Sequence, residues 1–76
     1  MAEAFVLINI DIGSEATVLG RIRALSSVRQ AHGVYGVYDL ICQIEAPDIP
    51  SLKDTIVKKI RRIDHVRSTI TLICFD

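Results

Sequence analysis

Apolar residues are grouped along the chain in short runs, and the spacing within each run indicates the element that it forms. Four runs are rich in β-branched or aromatic residues, which is typical of strands, and they begin at Ala4, Val28, Tyr38 and His65. In the segments after the first run and after the third, aliphatic residues recur every three or four positions, which is typical of amphipathic helices. The predicted order of elements is therefore β-α-β-β-α-β.

The ends of the two helices are indicated by capping residues. The first helix is expected to begin with Ser14 as its N-cap and to end near residues 26–27. The second is expected to begin with Asp48 or Ile49 as its cap and Pro50 in its first turn. The aliphatic stripes are Val18, Leu19, Ile22 and Leu25 in the first helix, and Leu52, Ile56, Ile60 and Ile63 in the second.

The two strand-helix-strand halves define the fold class. Only the region of Gly36 separates the second run from the third, so an antiparallel hairpin is expected there. The order β-α-β-β-α-β corresponds to the α+β ferredoxin-like plan, a four-stranded antiparallel sheet with two helices on one face. The 76 residues are enough for one such domain, which we assign to residues 1–76.

Two helices cover only one face of the sheet, so strand residues that point to the other face should be polar. The first and the last apolar runs of the chain nevertheless have apolar residues on both faces. An open apolar face is unusual on a soluble monomer, and a chain this short has a small core. We therefore predict a homodimer formed sheet to sheet. The alternating sets are Phe5 and Leu7 against Val6, Ile8 and Ile10 in the first run, and Ile70, Leu72 and Cys74 against Ile73 and Phe75 in the last.

Composition narrows the classes of partner and location. Lys and Arg number nine, as do Asp and Glu, so the zero formal charge gives no general attraction to nucleic acid or anionic lipid. No apolar run reaches the ~18 residues that span a bilayer. Cys42 and Cys74 lie in apolar runs without CxxC spacing, which favours reduced thiols and a cytoplasmic location. We expect neither direct nucleic-acid binding nor membrane association.

Residues that carry out catalysis or bind metals are sparse. His32 and His65 are isolated, and Asp11 has no close acidic partner, so no metal site is expected. The chain has no nucleophile–base pair and no glycine-rich phosphate loop, so we expect no cofactor and no enzymatic activity. The basic run of residues 58–67 is interpreted as a solvated helix end, with Asp54 placed to pair with a lysine four residues later.

The stretch GVYGVYDL, residues 33–40, allows two interpretations. It can be a plain hairpin turn with a solvated carboxylate. Alternatively, Gly36 at positive φ leaves backbone amides free to bind a carboxylate, while Asp39 accepts an ammonium group, so that together they bind an α-amino acid. Thr69 and Thr71 share one face of the last strand, where their hydroxyls can serve a ligand or simply suit a strand.

These pieces together resemble the ligand-binding module of the Lrp/AsnC family of amino-acid-responsive transcription regulators, also called the RAM domain. The likeness runs through AFVLINI, VRQAHGVYG, the Gly-x-Tyr-Asp motif and VRSTITLIC. The resemblance implies a ferredoxin-like fold that dimerises through its sheet, assembles into octamers or decamers, and binds a free amino acid between dimers. The contacts that it implies are Gly36, Val37, Tyr38, Asp39, Thr69 and Thr71.

Full-length members of that family carry an N-terminal helix-turn-helix, whereas this sequence begins at the first strand. We therefore expect either a stand-alone effector module that senses a small amino acid or the same module as a piece of a longer protein. One alternative is a structural partner that assembles with a full-length regulator and binds nothing small. Another is a small dimeric ferredoxin-like enzyme, such as a monooxygenase or isomerase. The aliphatic helix stripes argue against the enzyme, because such enzymes need a polar pocket between helices and sheet.

Overall fold

A computed structural model describes all 76 residues as one sheet with helical segments packed against one of its faces. The sheet is antiparallel with the order β2-β3-β1-β4, which confirms the α+β ferredoxin-like prediction. The elements are β1 (Ala2–Ile10), α1 (Glu15–Arg23), β2 (Val28–Gly33), β3 (Leu40–Ala46), α2 (Ile49–Thr55), a π-helical segment (Ile56–Ile60) and β4 (Val66–Ile73).

The core lies between the sheet and the helices and is aliphatic. It takes alternate residues of β1 and β3 together with the inner stripes of both helices, as the sequence pattern predicts. Ser14 is the only buried polar residue, and no buried side-chain polar atom lacks a hydrogen-bond partner. The central core residues, all 0–1% exposed, are Val6, Ile8, Val18, Ile22, Leu40, Cys42, Ile44, Leu52 and Ile60.

The first helix begins at the predicted residue but ends earlier than predicted. Ser14 occupies the N-cap position, but its hydroxyl donates to the carbonyl oxygen of Asp11 at 2.6 Å and does not cap the helix. The helix ends at Arg23 and not near residue 26, because Leu25 turns inward to pack against the core and its amide bonds the carbonyl of Ile22. Neither helical element is long and apolar enough to cross a membrane.

The second helix begins as predicted and then widens. Asp48 is its N-cap, and its carboxylate accepts a hydrogen bond from the Ser51 amide at 2.8 Å. That hydrogen bond holds the pKa of the exposed Asp48 carboxyl below its ordinary value. From Ile56 to Ile60 the helix is of the π type, in which hydrogen bonds reach five residues along the chain. The wider turn keeps aliphatic residues spaced four apart on one buried face.

The predicted tight hairpin is a six-residue loop. β2 ends at Gly33 and β3 begins at Leu40, so both strands are shorter than the sequence indicated. The amide of Val34 donates to the carbonyl of Asp39 at 2.9 Å and closes the loop. Gly36 has φ of +139°, as expected for a residue that turns the chain out of strand geometry.

Candidate functional site

The loop of residues 34–39 presents a row of free donors. The backbone amides of Tyr35, Gly36, Val37 and Tyr38 donate to no acceptor within the chain. A Cβ placed on Gly36 would meet no atom within 4 Å. Gly36 therefore has open surroundings in addition to its unusual backbone conformation. Successive free amides in a turn can bind an anion such as a carboxylate. The loop therefore has the donors that the ligand-binding interpretation requires.

The same loop carries apolar side chains that no part of the chain covers. Tyr35 is fully exposed and Val37 is 84% exposed, while Tyr38 is half-buried. Exposed single hydrophobic residues are common, but here they stand beside unused backbone donors. The loop thus combines exposed apolar side chains with unpaired backbone donors.

Asp39 is held in place by one of its two carboxylate oxygens. Its Oδ2 accepts a hydrogen bond from the backbone amide of Ile10 at 2.9 Å, and its own amide donates to the carbonyl of Ile8. Its carboxylate takes part in no ion pair within 4.0 Å. One carboxylate oxygen of a fixed side chain thus remains available for an ammonium group.

Asp39 shares an open hollow of about 390 Å³ with a guanidinium that the sequence analysis did not single out. Arg67 lines the same hollow, with Asn9, Ile10 and Ser68 completing it. The nearest carboxylate of Arg67 is that of Asp11, whose Oδ1 lies 3.8 Å from Nε. A hollow with one carboxylate and one guanidinium matches the charges of a zwitterion. In the sequence, Arg67 belongs to the basic run of residues 58–67, which was interpreted as a solvated helix end.

Thr69 and Thr71 lie on the other face of β4. They pair with Ile8 and Val6 of β1, whose side chains point to the helices, and they line a hollow between the second helix and β4. Within one protomer, then, the two threonines and Asp39 do not share a pocket. The sequence analysis placed both threonines on one face correctly, but it gave no indication that Asp39 lies on the opposite face.

The two hollows are connected around the free edge of β4. A third hollow of about 270 Å³ shares Arg61 and Thr69 with the helix-side hollow. It also shares Arg67 and Ser68 with the hollow of Asp39. Asp39 therefore lies at one end of a trough around the unpaired strand edge, and Thr69 and Thr71 lie at the other end. The other predicted site residues, Gly36, Val37 and Tyr38, line none of these three hollows.

The turn before β4 is held by polar contacts of Asp11. Its carboxylate Oδ2 lies 3.2 Å from Nδ1 of His65, and its amide donates to the carbonyl of His65 at 2.9 Å. His65 itself has φ of +77°, an uncommon conformation for a residue other than glycine. No three His, Cys, Asp or Glu side chains come together to hold a metal ion.

The open face of the sheet is apolar at its centre. Phe5 and Leu7 of β1 lie opposite Leu72 and Ile70 of β4, and Ile41 of β3 lies opposite Leu7 on the other side. Leu72 is 53% and Ile70 is 46% exposed. In β1 both predicted sets are present, with Val6, Ile8 and Ile10 buried on the helix side and Phe5 and Leu7 on the open face. In the last run the prediction holds only in part, because β4 ends at Ile73, so that Cys74 and Phe75 lie beyond the strand.

The chain thus combines a small antiparallel sheet that has an open apolar face with a donor-rich loop and a charged trough. Comparison with known proteins gives its family. The family model described as the Lrp/AsnC ligand binding domain matches residues 3–76. The chain belongs to the Lrp/AsnC family and forms its ligand-binding domain.

Individual relatives agree with this assignment. The chain is 30% identical to an uncharacterized HTH-type transcriptional regulator of Pyrococcus abyssi, an alignment that covers 96% of this chain and 51% of the regulator. The crystal structure of FFRP-DM1 superposes with a TM-score of 0.95 at 35% identity, over 99% of this chain and 100% of that one. The structure of E. coli AsnC gives 0.92 at 25% identity, over 99% and 51%. The chain spans about half the length of the curated regulators that it matches.

Proposed function

We propose that this domain is a non-enzymatic effector module that binds a free amino acid in a cleft between sheet-to-sheet dimers, in the cytoplasm. The observation that carries the proposal is the loop of residues 34–39. It offers four consecutive free amides for a carboxylate, and the fixed carboxylate of Asp39 for an ammonium group. These are the two groups that every α-amino acid has in common.

The bare sheet face supports the dimer. Burying apolar surface contributes roughly 25 cal/mol per Å², and a second copy offers the same apolar face in return. Such pairing also enlarges the core of a short chain. Members of this family are oligomeric regulators, and we propose an octamer or decamer of this chain built from dimers.

The arrangement of the trough supports a site between dimers. Asp39 and the two threonines lie on opposite faces of one protomer, so a single copy cannot bring Asp39, Thr69 and Thr71 to one small ligand. A second copy placed along the edge of β4 would set its own loop beside those threonines. In that arrangement Gly36, Val37, Tyr38 and Asp39 of one copy and Thr69 and Thr71 of another complete the site.

This geometry couples ligand binding to assembly. A ligand held by two dimers binds the assembled state and not the separated one, so its binding free energy favours assembly. The amino acid would thereby change the number of dimers in a ring, and with it the arrangement of any longer regulator that includes this domain.

Calorimetric titration of the twenty amino acids against the wild type and Asp39→Asn tests the ligand. The asparagine keeps an oxygen for the Ile10 amide but loses the charge, so we expect binding to weaken by about tenfold or more. Asp64→Asn is the matched control, because Asp64 is exposed and forms no ion pair. Equal affinity of the wild type and Asp39→Asn would refute the site.

Sedimentation equilibrium at micromolar concentration tests the dimer. Leu72→Asp puts a charge at the centre of the bare face and should shift the chain toward monomer, whereas Ile12→Asp, at a turn position that is 99% exposed, should not. A wild type that sediments as a monomer contradicts the proposal.

A second candidate is a structural partner that assembles with a longer relative and binds no small molecule. The bare sheet face favours it, since a surface that pairs two copies of this domain can also pair one copy with the same domain of a longer regulator. Co-purification with such a regulator, unchanged by any amino acid, would select this candidate. The enzyme alternative is weakened because aliphatic side chains fill the space between helices and sheet.

A further inference from the structure

The hollow between the second helix and β4 has a polar lining made only of hydrogen-bond donors and hydroxyls. Its volume is about 360 Å³, within the range of small-ligand sites. Lys53 and Arg61 contribute cations and Thr69 and Thr71 contribute hydroxyls, and no carboxylate lines it. The rest of the lining is apolar and consists of Ile56, Val57 and Ile73.

The π-helical segment sets the two cations in line. In an ordinary α-helix, residues spaced four apart drift around the axis, because a turn takes 3.6 residues. Here the amide of Arg61 donates to the carbonyl of Ile56, five residues back, so the turn is wider. Lys53, Val57 and Arg61 consequently face the same hollow. π-helical turns are frequent at functional sites, which agrees with this arrangement.

Neither cation of the hollow is neutralised by the protein. Arg29 pairs with Glu45 at 3.0 Å, and Lys58 pairs with Asp54 at 3.1 Å. The carboxylate next to Lys53 in the sequence is thus already taken by another lysine. Lys53 and Arg61 have no carboxylate within 4.0 Å.

The fixed charges of the proposed site do not balance for a neutral amino acid. Arg67, which lines the hollow of Asp39, is offset by the carboxylate of Asp11 at 3.8 Å. Of the remaining charges, Asp39 supplies one negative charge and Lys53 and Arg61 supply two positive charges, which leaves one positive charge in excess. A zwitterion with an uncharged side chain leaves that excess in place, whereas an amino acid with a second carboxylate cancels it. Partly buried charge pairs with good geometry are favourable, and unpaired charges at a closed interface are costly.

We propose, on the basis of the proposed function, that the effector of this chain is an acidic amino acid of the aspartate and glutamate class. Its side-chain carboxylate lies in the hollow of Lys53 and Arg61, where the threonine hydroxyls donate to it. Its methylene groups rest on Ile56, Val57 and Ile73. The ammonium group is bound by Asp39 of a neighbouring copy.

Paired titrations test the charge of the ligand. L-glutamate against L-glutamine, and L-aspartate against L-asparagine, differ by one charge at nearly equal size. We expect at least one acid to bind about tenfold or more tightly than its amide, and that preference to shrink as salt is raised from 50 to 500 mM. If an amide or an apolar amino acid binds tighter and depends on Asp39, this inference fails while the proposed function stands. If no amino acid binds, the proposed function itself fails.

Variants of the two cations test the place of binding. Lys53→Met and Arg61→Met should each weaken binding of the acid by about tenfold and leave binding of its amide within about twofold. Lys59→Met and Arg62→Met are the controls, because both residues are exposed on the same helix end and outside the hollow. Equal affinity of all four variants would overturn the inference. So would a change in assembly size caused by Lys53→Met without ligand, since the cations would then serve a contact between copies.

A third set of titrations tests whether binding requires the ammonium group of the ligand. Glutarate and succinate have both carboxylates but no ammonium group, so we expect each to bind at least about tenfold more weakly than glutamate or aspartate. Equal binding would overturn the assignment of the ammonium group to Asp39. It would leave the hollow as a site for dicarboxylates and would contradict an amino-acid effector.

Discussion

The two strand-helix-strand halves of the sheet begin their outer strands alike. β2 opens with Val28 and β4 with Val66, and in each strand the next residue is an arginine that has no partner in the sheet register. Each unpaired arginine marks a β-bulge, and a bulge increases the local twist of its strand. Arg29 then pairs with Glu45 at 3.0 Å, and Arg67 lies 3.8 Å from the carboxylate of Asp11.

The halves differ in what covers those strands on the helix side. α1 packs on β2, where Ala31 is buried, and the guanidinium of Arg23 donates two hydrogen bonds to the carbonyl of Ala31 at 2.9 and 3.2 Å. The second helix packs on β1 and β3, and no residue of β4 is fully buried. The same architecture is thus closed at the β2 edge and open at the β4 edge, and the part of the candidate site that Thr69 and Thr71 form lies at the open edge.

The largest effect is expected in the core, where the two halves should be equal. Ile22 and Ile60 are both 0% exposed, so Ile22→Ala and Ile60→Ala should each lower the free energy of unfolding by about 2–5 kcal/mol. Val57→Ala, next to the open edge and 50% exposed, should cost less than about 1 kcal/mol. Urea denaturation at one fixed protein concentration measures all three. An Ile60 variant as mild as that of Val57 would mean that the second helix is not part of the core.

The sequence was sufficient for the order of elements because each had its own pattern. Alternation in β1, the stripe from Leu52 to Ile60 and the cap at Asp48 are local features, and all three are present in the structure. The length of the 34–39 loop was not predictable, because Val34 to Asp39 reads equally well as strand. The end of the loop is fixed by a hydrogen bond that the amide of Ile10, 29 residues away, donates to the Asp39 carboxylate.

The candidate site was predictable only in part, for the same reason. Gly36 and Asp39 were identified from their own residue types and from a motif. Arg61 was interpreted as part of a solvated helix end and Lys53 was not singled out, because helical periodicity of 3.6 does not align residues eight apart with a hollow. The π-helical turn that aligns them has no sequence pattern of its own. Whether Asp39 of one copy lies near Thr69 and Thr71 of another depends on how the copies assemble. No local pattern in the sequence indicates that arrangement.

An effect of intermediate size on the free energy of unfolding is expected from pH, which acts on the buried thiol of Cys42 in β3. Burial raises the pKa of the Cys42 thiol to about 11 from its ordinary 9.0, with a smaller opposing effect of a hydrogen bond to the backbone of Val6. The unfolded chain therefore loses this proton first as pH rises. The stabilisation is fully present below pH 9 and is lost progressively as pH rises toward 11, where the loss relative to pH 8 amounts to about 2 kcal/mol.

Urea midpoints from pH 8 to 11, in the presence of a reducing agent, measure this dependence. Cys42→Ala should be less stable throughout but should lose stability less steeply with pH than the wild type. Cys74→Ala keeps Cys42 and should keep the steep dependence; Cys74 lies at the open side and is only partly buried. Parallel curves for the wild type and Cys42→Ala would show that the thiol is not held neutral by the core.

The smallest effect on the free energy of unfolding is expected when one arginine from each edge of the sheet is replaced. Arg23→Met removes both hydrogen bonds to the Ala31 carbonyl and should lower the free energy of unfolding by about 1 kcal/mol. Arg61 forms no hydrogen bond or ion pair through its side chain, so Arg61→Met, measured without ligand, should change stability by less than about 0.5 kcal/mol. Methionine keeps most of the aliphatic stem in both variants, so the difference reports the guanidinium alone. Suppose instead that Arg61→Met lowered the free energy of unfolding more than Arg23→Met. The side chain of Arg61 would then stabilise the fold at the β4 edge. The cation would then be part of the fold, and it would not be free to bind a ligand.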